Sequence, residues 1–201
     1  LLTASLEAIR AQNKRQENPD VVRKVNGAEV RCRVFAPHEG DEVLVLVNGR
    51  RKRIPRDHIA TITTVNDHLG DLLNRRLTAK PSESHDWLLV EQARAKGLPH
   101  TANALAHHMV LTYPEHRRAR ESLGHKRRGG RWIWPLNGKY VTFKQWSKYH
   151  GDTGHPLRLR SLHYEVETTC GLRKAIDCLL DLERFYLLWL ADLANPLGGR
   201  E

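Results

Sequence analysis

Two apolar-periodic segments flank Gly97-Leu98-Pro99, and they limit the middle of the chain to a pair of antiparallel helices. The first runs from about His85 to Lys96 and turns Trp87, Leu88, Val90 and Ala93 inward. The second runs from about Thr101 to Tyr113 and buries Ala102, Leu105, Ala106, Met109 and Val110. Ser84 is placed to cap the first helix, and Pro114 ends the second. Small side chains at the contact let two helices approach closely.

This spacing resembles the tetratricopeptide repeat. In that pattern a turn Gly is followed after five residues by a small Ala and twelve later by Pro, as Gly97, Ala102 and Pro114 are here. Leu123-Gly124 falls 34 residues after Leu89-Val90, which keeps the period of the repeat. The resemblance implies that Ala119, Leu123 and Gly124 open a second repeat, broken at Arg127-Arg128-Gly129-Gly130. Ala106 stands where a large aromatic is usual and Met109 where a small residue is usual. One and a half repeats do not make a solenoid, which needs about three.

The other segments give an α+β chain of small parts. Residues 1–20 hold a polar helix stopped by Asn18-Pro19-Asp20. Residues 21–65 read as a small SH3-like or Sm-like barrel of four or five strands. There Val30, Cys32 and Val34 alternate with Arg31 and Arg33, Pro37–Gly40 turns, Val43–Val47 is a central strand, and Asn48-Gly49 is a hairpin turn. Residues 66–128 are helical: a leucine helix to Leu77, a linker, then the hairpin. Residues 129–160 form a Trp-rich connector, with a hairpin at Asn137-Gly138 and a short helix from Thr142, and end in a linker over 151–160. Residues 161–201 give a strand, Leu162–Thr168, and an amphipathic helix, Leu172–Leu190. That helix turns Leu172, Ala175, Ile176, Leu179, Leu182, Phe185, Tyr186 and Trp189 to one side.

The net charge of +10 favours acidic partners: nucleic acid, anionic lipid or an acidic protein face. The basic runs are Arg50, Arg51, Lys52 and Arg53; Arg117, Arg118 and Arg120; and Lys126, Arg127 and Arg128. Each reads either as phosphate-contacting or as a solvated face, and Arg50–Arg53 also as charge that blunts an edge strand. Trp132, Trp134 and Trp146 are candidate interaction residues, for stacking or for sealing a joint between parts. Cys32, Cys170 and Cys178 fit no CxxC spacing, and Cys32 and Cys178 fall on apolar faces.

No apolar run reaches membrane-span length, and no complete catalytic motif is present. HExxH, GxSxG, the P-loop and GxGxxG are missing, and no His pair is spaced i, i+4. No catalytic, cofactor or metal residue is therefore nominated. Opening at Leu1 rather than Met, the chain reads as an excised or mature segment.

The order of parts carries a wider resemblance, over residues 25–190. A strand unit ends in Arg51-Lys52-Arg53-Ile54-Pro55-Arg56-Asp57-His58-Ile59-Ala60. The hairpin leads to Pro114-Glu115-His116-Arg117-Arg118-Ala119-Arg120-Glu121-Ser122-Leu123-Gly124, then Gly130-Arg131-Trp132 and His163-Tyr164-Glu165-Val166-Glu167. This resembles the N-terminal region of bacterial exported proteins that join a small barrel and tetratricopeptide-like helices to a gluzincin-type, peptidase-MA-like zinc metallopeptidase domain. The resemblance implies a non-catalytic scaffold, exported or periplasmic, with His163–Trp189 as the start of the peptidase-like part. Its partner is then another protein or a downstream domain of the same chain. The alternative is a nucleic-acid binder using the β unit and the Arg/Lys runs.

Overall fold

A computed structural model describes residues 20–35 and 41–194, with side chains through 191. The expected N-terminal helix, the turn over Pro37–Gly40 and the closing segment from Asn195 lie outside the described residues. The fold is mixed α+β, and its described residues fall in two compact units: those of 20–69 with 190–194, and 70–189.

In the first unit, β1 (Asp20–Lys24), β2 (Glu29–Val34), β3 (Glu42–Val47), β4 (Arg50–Pro55) and β5 (Ile59–Thr63) make one antiparallel sheet. Its order is β4-β3-β2-β1-β5. Asn48 and Gly49 both adopt positive φ (50° and 77°), which a two-residue hairpin turn requires. A single 3-10 turn, Arg56–His58, joins β4 to β5. Alternation sends Val22, Cys32, Val43, Val45 and Ile54 into the core. Burial, and then the charge of Asp20, push the Cys32 thiol up to about 11, so it stays protonated.

Asp20 ties this unit together. Its buried carboxylate accepts from the Val34 backbone N–H (2.7 Å) and from that of Val65 (2.8 Å), where α1 (Val65–Thr78) begins. Asp20→Ala is expected to cost about 2 kcal/mol, since it removes the carboxylate that accepts from two part-buried backbone donors. A urea unfolding curve of the whole chain measures this.

The second unit contains the helical hairpin. α2 (Glu83–Ala95) is capped by Ser82, whose Oγ accepts from His85 N–H, rather than by Ser84. Gly97 takes φ +78° at the turn, and α3 (Pro99–Thr112) starts on Pro99, which needs no N–H partner there. Ala93, Ala102, Ala104, Ala106, Leu89, Leu105, Met109 and Val110 are buried. Leu88 is exposed and Leu89 takes the inward place, because the run Leu88-Leu89-Val90 fits either of two adjacent faces.

The helical segment that follows Pro114 is short. α4 (Arg117–Ser122) has six residues, and Gly124, at φ +74°, ends it. His125 N–H returns to Arg120 C=O and Gly124 N–H to Glu121 C=O, the paired bonds of a Schellman stop. The chain then enters a three-stranded antiparallel sheet, β6 (Lys126–Arg128), β7 (Arg131–Leu136) and β8 (Lys139–Val141). Gly129-Gly130 and Asn137-Gly138, all at positive φ, turn the strands. α5 (Phe143–His150) follows, with a capping box between Thr142 and Gln145.

The stretch expected as a linker over 151–160 contains β9 (Leu157–Arg160), which pairs with β10 (Glu165–Thr168). Leu157 and Leu159 point inward and Arg158 and Arg160 outward. The described residues end on α6 (Leu172–Ala194). Cys178 is exposed on α6 rather than in a core, and all three cysteines are free.

Candidate functional site

Two of the nominated tryptophans, Trp132 and Trp134, meet one buried arginine, and the third, Trp146, packs against Trp134. Trp134 is buried, with ring centroids 4.9 Å from Trp146, 4.8 Å from Phe143 and 4.1 Å from His125. Trp146 is buried as well, while Trp132 is half-buried and donates from Nε1 to Glu115 at 3.2 Å. The Arg120 guanidinium lies 5.3 Å from the Trp134 ring and 5.9 Å from that of Trp132. Trp134 and Trp146 are thus committed to the interior of the second unit.

Arg120 is the one member of its run that is buried. Val110 C=O, near the end of α3, would bond the N–H four residues on, but that residue is Pro114. Arg120 Nη2 supplies the missing donor (3.3 Å), and its Nε bonds Pro114 C=O (2.9 Å). Its Nη1 stands 3.2 Å from His125 Nδ1. A guanidinium has no lone pair to offer, so His125 Nδ1 accepts and the ring proton sits on Nε2. Burial, then Arg120, then His107 hold His125 neutral, down at about 3. Burial and Arg120 hold His107 at about 4, and its buried Nδ1 has no partner. This cluster fastens the hairpin to the three-stranded sheet.

The other residues of the two basic runs in this unit are exposed. Arg117 pairs with Glu121 (2.6 Å), Arg127 with Glu115 (3.6 Å), and Lys126 lies over the Tyr140 ring (4.5 Å). Arg118 and Arg128 are exposed. In the first unit Arg50, Arg51, Lys52 and Arg53 form β4 and are exposed, with Arg53 beside Glu42 at 3.5 Å.

α6 changes character along its length. Its first half buries Leu172, Ala175, Ile176, Leu179 and Leu180. Glu183, fully buried, accepts from the His163 backbone N–H (2.7 Å) and faces His163 Nδ1 (2.6 Å). Burial works to raise its pKa, but the hydrogen bonds from His163 and Ser161 outweigh it and leave the carboxyl below its usual range. Beyond Glu183 the apolar stripe loses its cover: Phe185 is 64% exposed, Leu188 65% and Trp189 50%. Phe185 and Trp189 had the periodicity of core residues, and periodicity marks an apolar face without saying what lies against it. Asp181 and Arg184, paired at 3.6 Å, stand exposed beside the stripe.

Among the described residues no group of three or more His, Cys, Asp or Glu is placed to hold a metal ion. No helix among them is long and apolar enough to cross a membrane. Comparison of the chain with protein-family models, with curated proteins and with solved structures finds no match.

Proposed function

We propose that this chain is a scaffold and protein-interaction region that docks a second folded protein domain on the outer end of α6. The observation that carries the reading is the uncovered stripe Phe185, Leu188 and Trp189. Their i, i+3, i+4 spacing is that of anchors seated in an apolar groove. Large aromatic anchors dominate the energy of such contacts, and the Asp181–Arg184 pair provides a polar rim. An exposed apolar cluster of this kind is costly to leave in water.

The finer fold readings belong to the same proposal. The strand order β4-β3-β2-β1-β5 with a 3-10 turn before β5 supports an SH3-like β unit. The positions of Gly97, Ala102 and Pro114 support a tetratricopeptide-like hairpin used as a spacer. The resemblance to exported peptidase-MA-like proteins makes a downstream peptidase-like domain the partner of choice, and an exported or periplasmic setting its consequence.

Leu188→Asp tests the reading. The exposed position should leave the unfolding free energy within about 0.5 kcal/mol of wild type. The same variant should lose capture of any partner that wild-type chain retains on an affinity matrix. Equal capture by both would overturn the assignment of the α6 stripe.

A further inference from the structure

We infer that the outer face of the five-stranded sheet binds the phosphate backbone of nucleic acid through Arg31, Arg33 and Arg51. Strand alternation places these three opposite to the core-facing Cys32, Val43, Val45 and Ile54. The register sets Arg33 against Leu46 and Leu46 against Arg51, in one row across β2, β3 and β4. Two strand spacings separate Arg33 from Arg51, about 10 Å, and Arg31 lies about 7 Å along β2 from Arg33. Leu44 and Leu46, half-buried, form the floor between them.

Two more arginines share this face but are engaged. Arg23 bonds Glu29 at 2.8 Å, and Arg53 lies 3.5 Å from Glu42. Arg31, Arg33 and Arg51 have no acidic partner among the described residues, and all three are exposed. The face therefore carries an uncompensated row of guanidiniums.

Protection of a sheet edge does not account for that row. Blunting an edge needs charge on the terminal strand, here β4. Arg31 and Arg33 are on β2, the middle strand of the five, where no edge exists. A protein partner is the weaker occupant, because among the described residues the strand leucines of this face, Leu44 and Leu46, are half-buried floor rather than exposed anchors to seat in a pocket. A polyanion needs none: forked guanidiniums grip phosphate oxygens bidentately, and released counterions drive the binding.

The test is fluorescence anisotropy of the 201-residue chain with labelled single-stranded and duplex 20-mers at about 50 mM salt. Arg33→Glu/Arg51→Glu is expected to weaken binding at least tenfold. The milder Arg33→Gln/Arg51→Gln is expected to reduce the slope of log affinity against log salt by about 1.5–2, one phosphate contact per residue. Lys144→Glu/Lys174→Glu, exposed on α5 and α6, makes the same charge change elsewhere and should alter affinity less than threefold. Circular dichroism checks that each variant is folded, and the glutamine pair stands in if the glutamate pair is not. Absence of binding by wild type overturns the inference, and so does equal weakening by the control pair. Retention on phosphatidylserine vesicles without oligonucleotide binding overturns it in favour of a membrane surface.

Discussion

Arg120→Met is expected to destabilise the chain by about 4 kcal/mol. The loss has three parts. Val110 C=O loses its donor in a buried place, at about 1–3 kcal/mol, and the part-buried bond to Pro114 C=O is lost at about 1 kcal/mol. His125 Nδ1 loses the group it accepts from. The faces of Trp132 and Trp134 lose a cation, worth about 0.5–2 kcal/mol. Methionine fills much of the volume, so cavity formation adds little. Arg120→Lys keeps the charge but has no fork to reach two carbonyls and the imidazole together, and about half the loss is expected. Urea unfolding followed by tryptophan fluorescence reads the result. A loss below 1 kcal/mol for Arg120→Met would show that the guanidinium does not close the end of α3.

The second large effect is on pH dependence. His107 has a folded-state pKa near 4 against an ordinary value of 6.5, from burial and then from Arg120. Its folded pKa is depressed, so between pH 6.5 and 4 the unfolded chain binds the proton and the folded chain does not. Stability therefore falls as pH drops through that window and is fully present above it. Across that window, from 6.5 down to about 4, the loss amounts to about 3 kcal/mol. His125 steepens the same limb, since it titrates lower still under burial, Arg120 and His107. Glu183, with its carboxyl below the ordinary value, adds a loss that begins only in the carboxylate range. His107→Leu should flatten the slope between pH 6.5 and 4 and cost little at pH 7, where it removes a buried Nδ1 without a partner. Denaturant midpoints at half-unit pH steps measure both. An unchanged slope in His107→Leu would place the acid sensitivity elsewhere.

Local signals carried much of the architecture. Alternation of Val30, Cys32 and Val34 with Arg31 and Arg33 defined β2, and Asn48-Gly49 and Asn137-Gly138 sit at the turns that their backbone freedom suggests. Gly97 and Pro114 bound the second helix of the hairpin closely. The failures share a cause, which is that covering and pairing are non-local. β9 is four residues in a Gly/His/Pro-rich stretch, and only its pairing with β10 makes it a strand. Leu123-Gly124 kept the 34-residue period, yet Gly124 stops the helix instead of continuing it. Arg120 sits in a run that looks solvated, and its burial follows from Pro114 leaving Val110 without a donor. That signal was present in the spacing of Pro114, but it needed the fold of β7 to bring the tryptophans over it.

The candidate surfaces were legible to a different degree. Arg51 belonged to a visible basic run, but Arg31 and Arg33 looked like the polar side of a half-buried strand. Only the register between β2, β3 and β4 puts Arg33 in one row with Arg51, with Arg31 on the same face two residues along β2. On α6 the amphipathic pattern was plain, while the loss of cover after Glu183 was not.

The most direct measurement of the scaffold reading is a binding titration between this chain and a purified partner first recovered on it, repeated with Leu188→Asp. The expected result is a 1:1 complex that Leu188→Asp weakens at least tenfold, with the fold unchanged. Equal affinity for the two chains would contradict the account, as would burial of Phe185, Leu188 and Trp189 by self-association alone.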